Sequence, residues 1–326
     1  MKAEIVAAND PDAIERASEY IRRGEPIAVP TETVYGLAAD ALNAAAVAKI
    51  FAIKERPSFD PLIVHFADPK WMKELARPTS ADLQLVERLA ERFWPGPLTL
   101  LLPKSEKVLD LVTAELPTVA LRMPSHPVFR AIMRTSDRPV AAPSANRFGR
   151  VSPSRADHVF DELGSRIAMI VDAGPAVFGI ESTIVQPVGG RIAILRPGPI
   201  TEEALAEIAP VVEDFVPDEI TAPGQTSSHY APSKPVKILA AGVTVERPEN
   251  AGLLCWGENR RPESFKVAQS LSQNCDLAEA ASRLFSLLRE FDRLPLETIY
   301  VEPVPENGVG KAIMNRLRRA AHAKTS

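Results

Sequence analysis

The sequence predicts an α/β protein: a twisted mixed sheet largely buried under helices, followed by a smaller Rossmann-like α/β unit. Three observations carry that expectation. Short apolar runs alternate with stretches of helical period along most of the chain. Several of those runs are apolar throughout, as strands covered on both faces are. A polar, proline-rich stretch without periodicity, residues 221–235, then breaks the alternation before it resumes. A chain of 326 residues that is 45% hydrophobic and 25% charged can bury two cores. The expected division is a first domain at 1–205, a linker at 206–235 and a second domain at 236–326.

Taken in order, residues 5–6 read as a short strand. Asp10 and Pro11 open a helix that runs to about Arg23, and Gly24 stands where a helix has to end. Residues 26–30 form a strand that enters a turn at Thr31-Glu32-Thr33. Residues 43–53 read as helix, 62–66 as strand and 81–93 as helix again. Six more short strands follow, at 98–102, 119–122, 140–142, 167–171, 182–186 and 191–195, and Thr201-Glu202-Glu203 starts a helix. Beyond the linker, 236–240, 252–256 and 298–301 read as strands, and 276–293 and 309–321 as helices. Gly308-Val309-Gly310-Lys311 completes neither GxGxxG nor a Walker A loop, so no second nucleotide site is expected there.

Composition excludes several classes of function. The 30 prolines against 16 glycines imply stiff turns. A net charge of -4 argues against an extended basic surface, so direct nucleic-acid binding is expected to be weak or absent unless a local patch supplies it. The first residues, Met1 to Ile5, hold no apolar signal core, and no apolar run reaches membrane-spanning length. A soluble, cytoplasmic protein with no membrane contact is therefore expected. Cys255 and Cys275 form no CxxC and have no histidine beside them. Both are expected to be small core residues rather than zinc ligands or a disulfide.

The block from Lys54 to His65 is the most informative. If its start is extended, Lys54 and Arg56 point the same way and converge on one polyanion, and Asp60 can hold a metal or a nucleotide hydroxyl. The alternative for this block alone is a solvated charged loop before a buried strand. Thr31, Glu32 and Thr33 end the first long strand, where hydroxyls and a carboxylate can meet a small polar substrate or simply cap a turn. Thr118 and Arg122 alternate onto one face of a strand, and an arginine there clamps a carboxylate or makes an ion pair. Ala142-Pro143-Ser144-Ala145-Asn146 lacks the flanking glycines of a nucleophile elbow. Ser152-Pro153-Ser154 reads as the cap of the next helix. Glu181-Ser182-Thr183 and Arg196-Pro197-Gly198 complete the polar strand ends, and His229-Tyr230 stands out within the linker.

Together these blocks resemble the threonylcarbamoyl-AMP synthases of the YrdC-like family, in the long form with a C-terminal domain. The matching text is Pro-Thr-Glu-Thr-Val-Tyr-Gly-Leu at 30–37, Lys-Glu-Arg-Pro-Ser at 54–58, Pro-Leu-Ile-Val-His at 61–65 and Trp-Pro-Gly-Pro-Leu-Thr at 94–99. It continues with Arg-Met-Pro at 122–124, Ala-Pro-Ser-Ala-Asn at 142–146, Glu-Ser-Thr-Ile-Val at 181–185 and Arg-Pro-Gly at 196–198. His-Tyr-Ala-Pro in the linker and Ala-Ile-Met-Asn-Arg-Leu at 312–317 resemble the long form specifically. One departure is Asp60, where many such proteins carry asparagine.

The resemblance implies a nucleotidyltransferase that joins L-threonine, bicarbonate and ATP into threonylcarbamoyl-AMP, releasing pyrophosphate. The product passes to a tRNA-modifying complex that acts on the adenosine beside the anticodon. By the same resemblance, Thr33, His65, Arg122, Ala142 and Ser182 surround threonine. Lys54, Arg56, Asp60, Thr118, Ser144, Asn146, Ser152 and Arg196 hold ATP, with His229 and Tyr230 closing over it. Lys54 and Arg56 are the expected catalytic cations. Mg²⁺ enters with ATP, no protein metal ligand is expected, and no organic cofactor is tightly bound. Two other readings are an RNA-binding module, which needs a wider basic footprint, and a carbamoyl transferase of metalloenzyme maturation, which needs zinc-binding segments absent here.

Overall fold

A computed structural model describes residues 2–212, 230–239, 250–258 and 265–322. Strand β1 (Glu4–Ala7) leads into α1 (Ala13–Arg22), which buries Ala13, Ala17 and Ile21 on one stripe. The helix stops before Gly24, whose φ of +70° only glycine adopts without cost. After β2 (Ile27–Val29) the chain turns back as β3 (Gly36–Asp40), a strand of small residues that propensity alone does not announce. Helix α2 (Ala44–Lys54) is capped by the Asn43 side chain, which accepts from the amides of Ala45 and Ala46.

There follow β4 (Ile63–His65), α3 (Lys70–Leu75), α4 (Leu83–Phe93), β5 (Leu98–Pro103), α5 (Asp110–Thr113) and β6 (Thr118–Arg122). The first unit ends with α6 (Pro127–Ser136), β7 (Val140–Ala141), α7 (Ala156–Leu163), β8 (Met169–Asp172), β9 (Thr183–Val188), β10 (Arg191–Arg196) and α8 (Glu202–Ala206). Its ten strands form one mixed sheet in the order β1-β8-β2-β3-β7-β4-β6-β5-β9-β10. Residues 210–212, expected in the linker, instead extend the sheet edge: the Ile192 amide donates to the Pro210 carbonyl and the Val212 amide to that of Ile192.

The second unit is an all-parallel sheet of β11 (Val236–Ile238), β12 (Ala251–Cys255), β13 (Val267–Ser270) and β14 (Thr298–Val301), ordered β11-β14-β12-β13. Helices α9 (Leu277–Arg293) and α10 (Gly310–Ala321) accompany it. Cys255 is buried as expected, but Cys275 is exposed. It lies in a turn with φ +57°, outside the core its small side chain suggests.

One apolar cluster runs across the two units. Val34, Val151 and Ile180 of the first pack with Tyr230 and with Leu284 and Phe285 of α9. Gly179 passes so close to α9 that a Cβ there would lie 2.4 Å from the Ser282 carbonyl oxygen. Buried Arg289 of α9 reaches Glu162 at 2.5 Å and also bonds the Val151 carbonyl.

Candidate active site

The β4–β6 register sets the floor of the site. His65 lies opposite Arg122 on parallel neighbours, and Ile63, two residues back, shares their face. All three line a partly open cavity of about 50 Å³ with Ala142, which follows β7, and with Thr31, Thr33 and Gly36 from the turn between β2 and β3. Ser182, just before β9, and Arg196, at the end of β10, close one side. Arg56, Ser144, Glu181 and Tyr230 close the other. Residues from eight separate stretches of the chain thus meet at one point.

Arg122 is buried and held on three sides. It donates to Glu32 at 2.6 Å, to the Thr33 hydroxyl at 3.0 Å and to the Gly96 carbonyl at 3.3 Å. Burial pushes the Glu32 carboxyl up, but the Arg122 guanidinium outweighs it and holds the group below its usual range. The Thr31 hydroxyl lies 2.9 Å from that of Thr33 and donates to the Val34 carbonyl, so the turn is also a self-capped one. Burial, aided by Arg122, holds His65 well below the usual imidazole range, so it is neutral near pH 7. On the other side, Ser182 lies 2.8 Å from Thr99 and receives the Arg196 guanidinium at its hydroxyl and carbonyl.

The phosphate cations are arranged differently from the extended pair expected. Lys54 is the last residue of α2, and Glu55 takes the left-handed conformation, φ 54°, that turns the chain toward Arg56. Lys54 is fully buried and donates to the carbonyls of Ser144 at 2.5 Å and Asn146 at 2.6 Å. Arg56 lines the cavity, bonds the carbonyls of Asp60 and Pro61, and lies 2.9 Å from the Asp60 carboxylate. Burial raises the Asp60 pKa against the pull of Arg56 and Lys54.

Thr118 starts β6, four residues from Arg122, which at strand rise is about 13 Å away. Ser152 does not cap α7, whose first turn has Arg155 before it and no side-chain cap. Its hydroxyl donates to Glu181 at 2.5 Å, and that of Ser154 lies 2.8 Å from Ser286 of α9. Asn146 spends its amide on the carbonyls of Arg147 and Arg150. Tyr230 is buried, stacked on Phe285 at 5.5 Å. His229 lies outside the described residues. Neither Lys54, Asp60, Thr118, Asn146 nor Ser152 lines the cavity itself. Glu181 does, although sequence reasoning gave it no role, and the second unit's Arg316 reaches it at 3.1 Å. Their place in the Glu-Ser-Thr and Asn-Arg-Leu text that carries the family resemblance was the signal for either.

Residues 19–198 match the Sua5, YciO and YrdC family model described as telomere recombination, and 200–322 match that of the threonylcarbamoyl-AMP synthase C-terminal domain. A threonylcarbamoyl-AMP synthase of Bacillus subtilis is 41% identical over 97% of this chain and 94% of its own length. The chain belongs to the threonylcarbamoyl-AMP synthase family. A synthase of Pyrococcus abyssi is 38% identical, with 94% of each chain covered. The crystal structure of P. abyssi Sua5 complexed with L-threonine superposes with a TM-score of 0.87, at 36% identity and 98% coverage of both chains. Threonylcarbamoyl-AMP synthases are ATP-using, nucleotidyltransferase-type enzymes. Among this chain's described residues no helix is long and apolar enough to cross a membrane.

Proposed function

We propose that this chain condenses L-threonine, bicarbonate and ATP into threonylcarbamoyl-AMP and pyrophosphate, for transfer to a tRNA adenosine by a separate complex in the cytoplasm. One observation carries the reading: a neutral histidine, paired hydroxyls and three guanidinium groups, those of Arg56, Arg122 and Arg196, line a single partly open cavity. Such a lining suits a small amino acid beside a polyanion. His65 Nδ1, on the cavity wall, is buried without a hydrogen bond, as is Oε2 of Glu32, the partner of Arg122. Native proteins leave few such atoms, and a site that substrate completes is one place for them.

In this reading Arg122 pairs with the threonine carboxylate, while Thr33, His65, Ala142 and Ser182 shape the pocket for amine and side chain. The amine attacks the bicarbonate carbon and water leaves, giving a carbamate. A carbamate oxygen then attacks the α-phosphorus, and the bond to pyrophosphate breaks. No acyl group is ever attached to the enzyme, so catalysis is positioning plus stabilisation of charge spreading over the phosphates. Arg56 and Arg196 act directly, Ser144, Asn146, Ser152, Thr118 and Asp60 fix the nucleotide, and Lys54 adds its charge through the 142–146 turn. Mg²⁺ arrives with ATP as part of the substrate. Residues 1–205 carry the chemistry, 206–235 bear the His229-Tyr230 lid that keeps water from a hydrolysable product, and 236–326 support it.

The test supplies threonine, labelled bicarbonate, ATP and Mg²⁺ and follows pyrophosphate and label together. Threonine-dependent pyrophosphate with label in an adenylate is the expected result. Pyrophosphate without threonine dependence would overturn the reading.

A further inference from the structure

Arg316 of α10 is fully buried, on a helix whose Ile313, Met314, Leu317 and Ala320 pack into the apolar cluster around α9. Its Nε donates to Glu181 at 3.1 Å and its Nη1 to the Pro197 carbonyl at 2.5 Å. Its guanidinium carbon lies 5.5 Å from the centre of the Tyr230 ring. The other oxygen of Glu181 accepts the Ser152 hydroxyl, and Pro197 adjoins Arg196. One side chain from the second unit therefore touches three parts of the cavity wall: the carboxylate before Ser182, the strand end that carries Arg196, and the linker tyrosine. Glu181 is buried and has no other cation within ion-pair distance among the described residues. A carboxylate so placed keeps one orientation only while its partner holds it.

On the reaction proposed above, we propose that Arg316 is a positioning residue: the second unit completes the active site by fixing Glu181, through it Ser152, and Tyr230 directly, around the nucleotide. Arg316 touches no substrate in this scheme. Its route through Glu181 is the one an experiment can separate from mere support of the fold.

The full chain is compared as wild type, Arg316→Met, Arg316→Lys, Glu181→Gln, and each Arg316 change combined with Glu181→Gln, by pyrophosphate release and thermal melting. In the wild-type background Arg316→Met should lower kcat/KM for ATP about tenfold to hundredfold, since removing one partner of a buried pair strands the other. With Glu181 already neutral, the same change should cost less than about threefold or restore some activity. Arg316→Lys, which keeps the charge without the fork, should fall between and show the same dependence on Glu181. KM for threonine should move less than about threefold throughout, because Thr33, His65 and Arg122 lie outside the network. Equal losses in both backgrounds would make Arg316 a structural residue only and overturn the proposal. If Arg316→Met melts below the assay temperature, the Arg316→Lys pair gives the same comparison. A wild-type chain without threonine-dependent pyrophosphate release would remove the reaction and this inference together, whereas an active wild type without coupling removes this inference alone.

Discussion

Lys54 keeps its amine where no solvent reaches, and two carbonyls take the two hydrogens a neutral amine can donate. Burial first, then the nearby Arg56, lowers its pKa to about 7. A triphosphate at the site favours the charged form, so ATP binding at pH 8 should draw close to one proton from solution. Calorimetry in buffers of different ionisation heat would read this, and Lys54→Met should abolish it. The folded pKa lies below the unfolded one, so between about 7 and the ordinary 10.5 the unfolded chain holds more protons. Stability of the free protein should therefore rise with pH across that window by up to a few kcal/mol, at about 1.4 per unit. Denaturant midpoints at pH 7 and 9 should diverge in the wild type and converge in Lys54→Met. Arg122 behaves differently, because three partners already hold it. Arg122→Lys should weaken threonine binding by about 1.5–3 kcal/mol while leaving ATP binding nearly unchanged, since a point charge cannot serve Glu32, Thr33 and a carboxylate together. The reverse pattern would assign this arginine to the nucleotide.

The elements that position these residues were legible where period and cap agree. Helix α2 begins at Asn43 and α9 at Asp276, and both caps accept two amides as their sequences suggest. Strands β4, β6 and β9 follow their apolar runs to within a residue or two at each end. Helices α3 and α5 were missed because six and four residues are too few to show a period. Strand β3 was missed because its alanines have no strand preference, and its partners β2 and β7 decide the matter. Helix α6 was a readable omission, with Pro127 in its first turn as a start signal. What no pattern reveals is close approach. A Cβ on Gly198 would lie 2.4 Å from the Thr183 amide nitrogen and 2.7 Å from the Ser182 carbonyl carbon. Gly198→Ala should thus force the start of β9 away from the end of β10, at a cost of about 1–3 kcal/mol. Melting curves should show that loss, with KM for threonine raised as Ser182 shifts. An unchanged KM beside a lowered melting point would mean the strain is absorbed elsewhere.

Across the whole molecule, the two units share an apolar cluster and a set of buried arginine contacts, and nothing in the linker's composition announced that Tyr230 would sit inside both. Sequence reading marked the His-Tyr pair as unlike a spacer, but its destination depends on Phe285 and Arg316, which are distant in the chain. Replacing residues 221–235 with a Gly/Ser segment of equal length should keep the reach and lose these contacts. Synthesis should fall well below that of the intact chain, and full activity would show the segment to be a tether. The size of the cavity has a quantitative consequence. A volume of about 50 Å³ admits a water or two, whereas sites for small molecules hold on the order of 300–1,000 Å³. If ATP binds here as proposed, the space has to widen, and where Tyr230 leaving its seat is what widens it, the apparent affinity is the intrinsic one multiplied by the receptive fraction. If roughly one molecule in ten is receptive, the dissociation constant is about tenfold weaker than the contacts alone would give. Phe285→Ala, which loosens the seat, should then tighten nucleotide binding and at the same time shorten the life of the adenylate. Equilibrium titration and a chase of labelled product would move in opposite directions in one and the same variant.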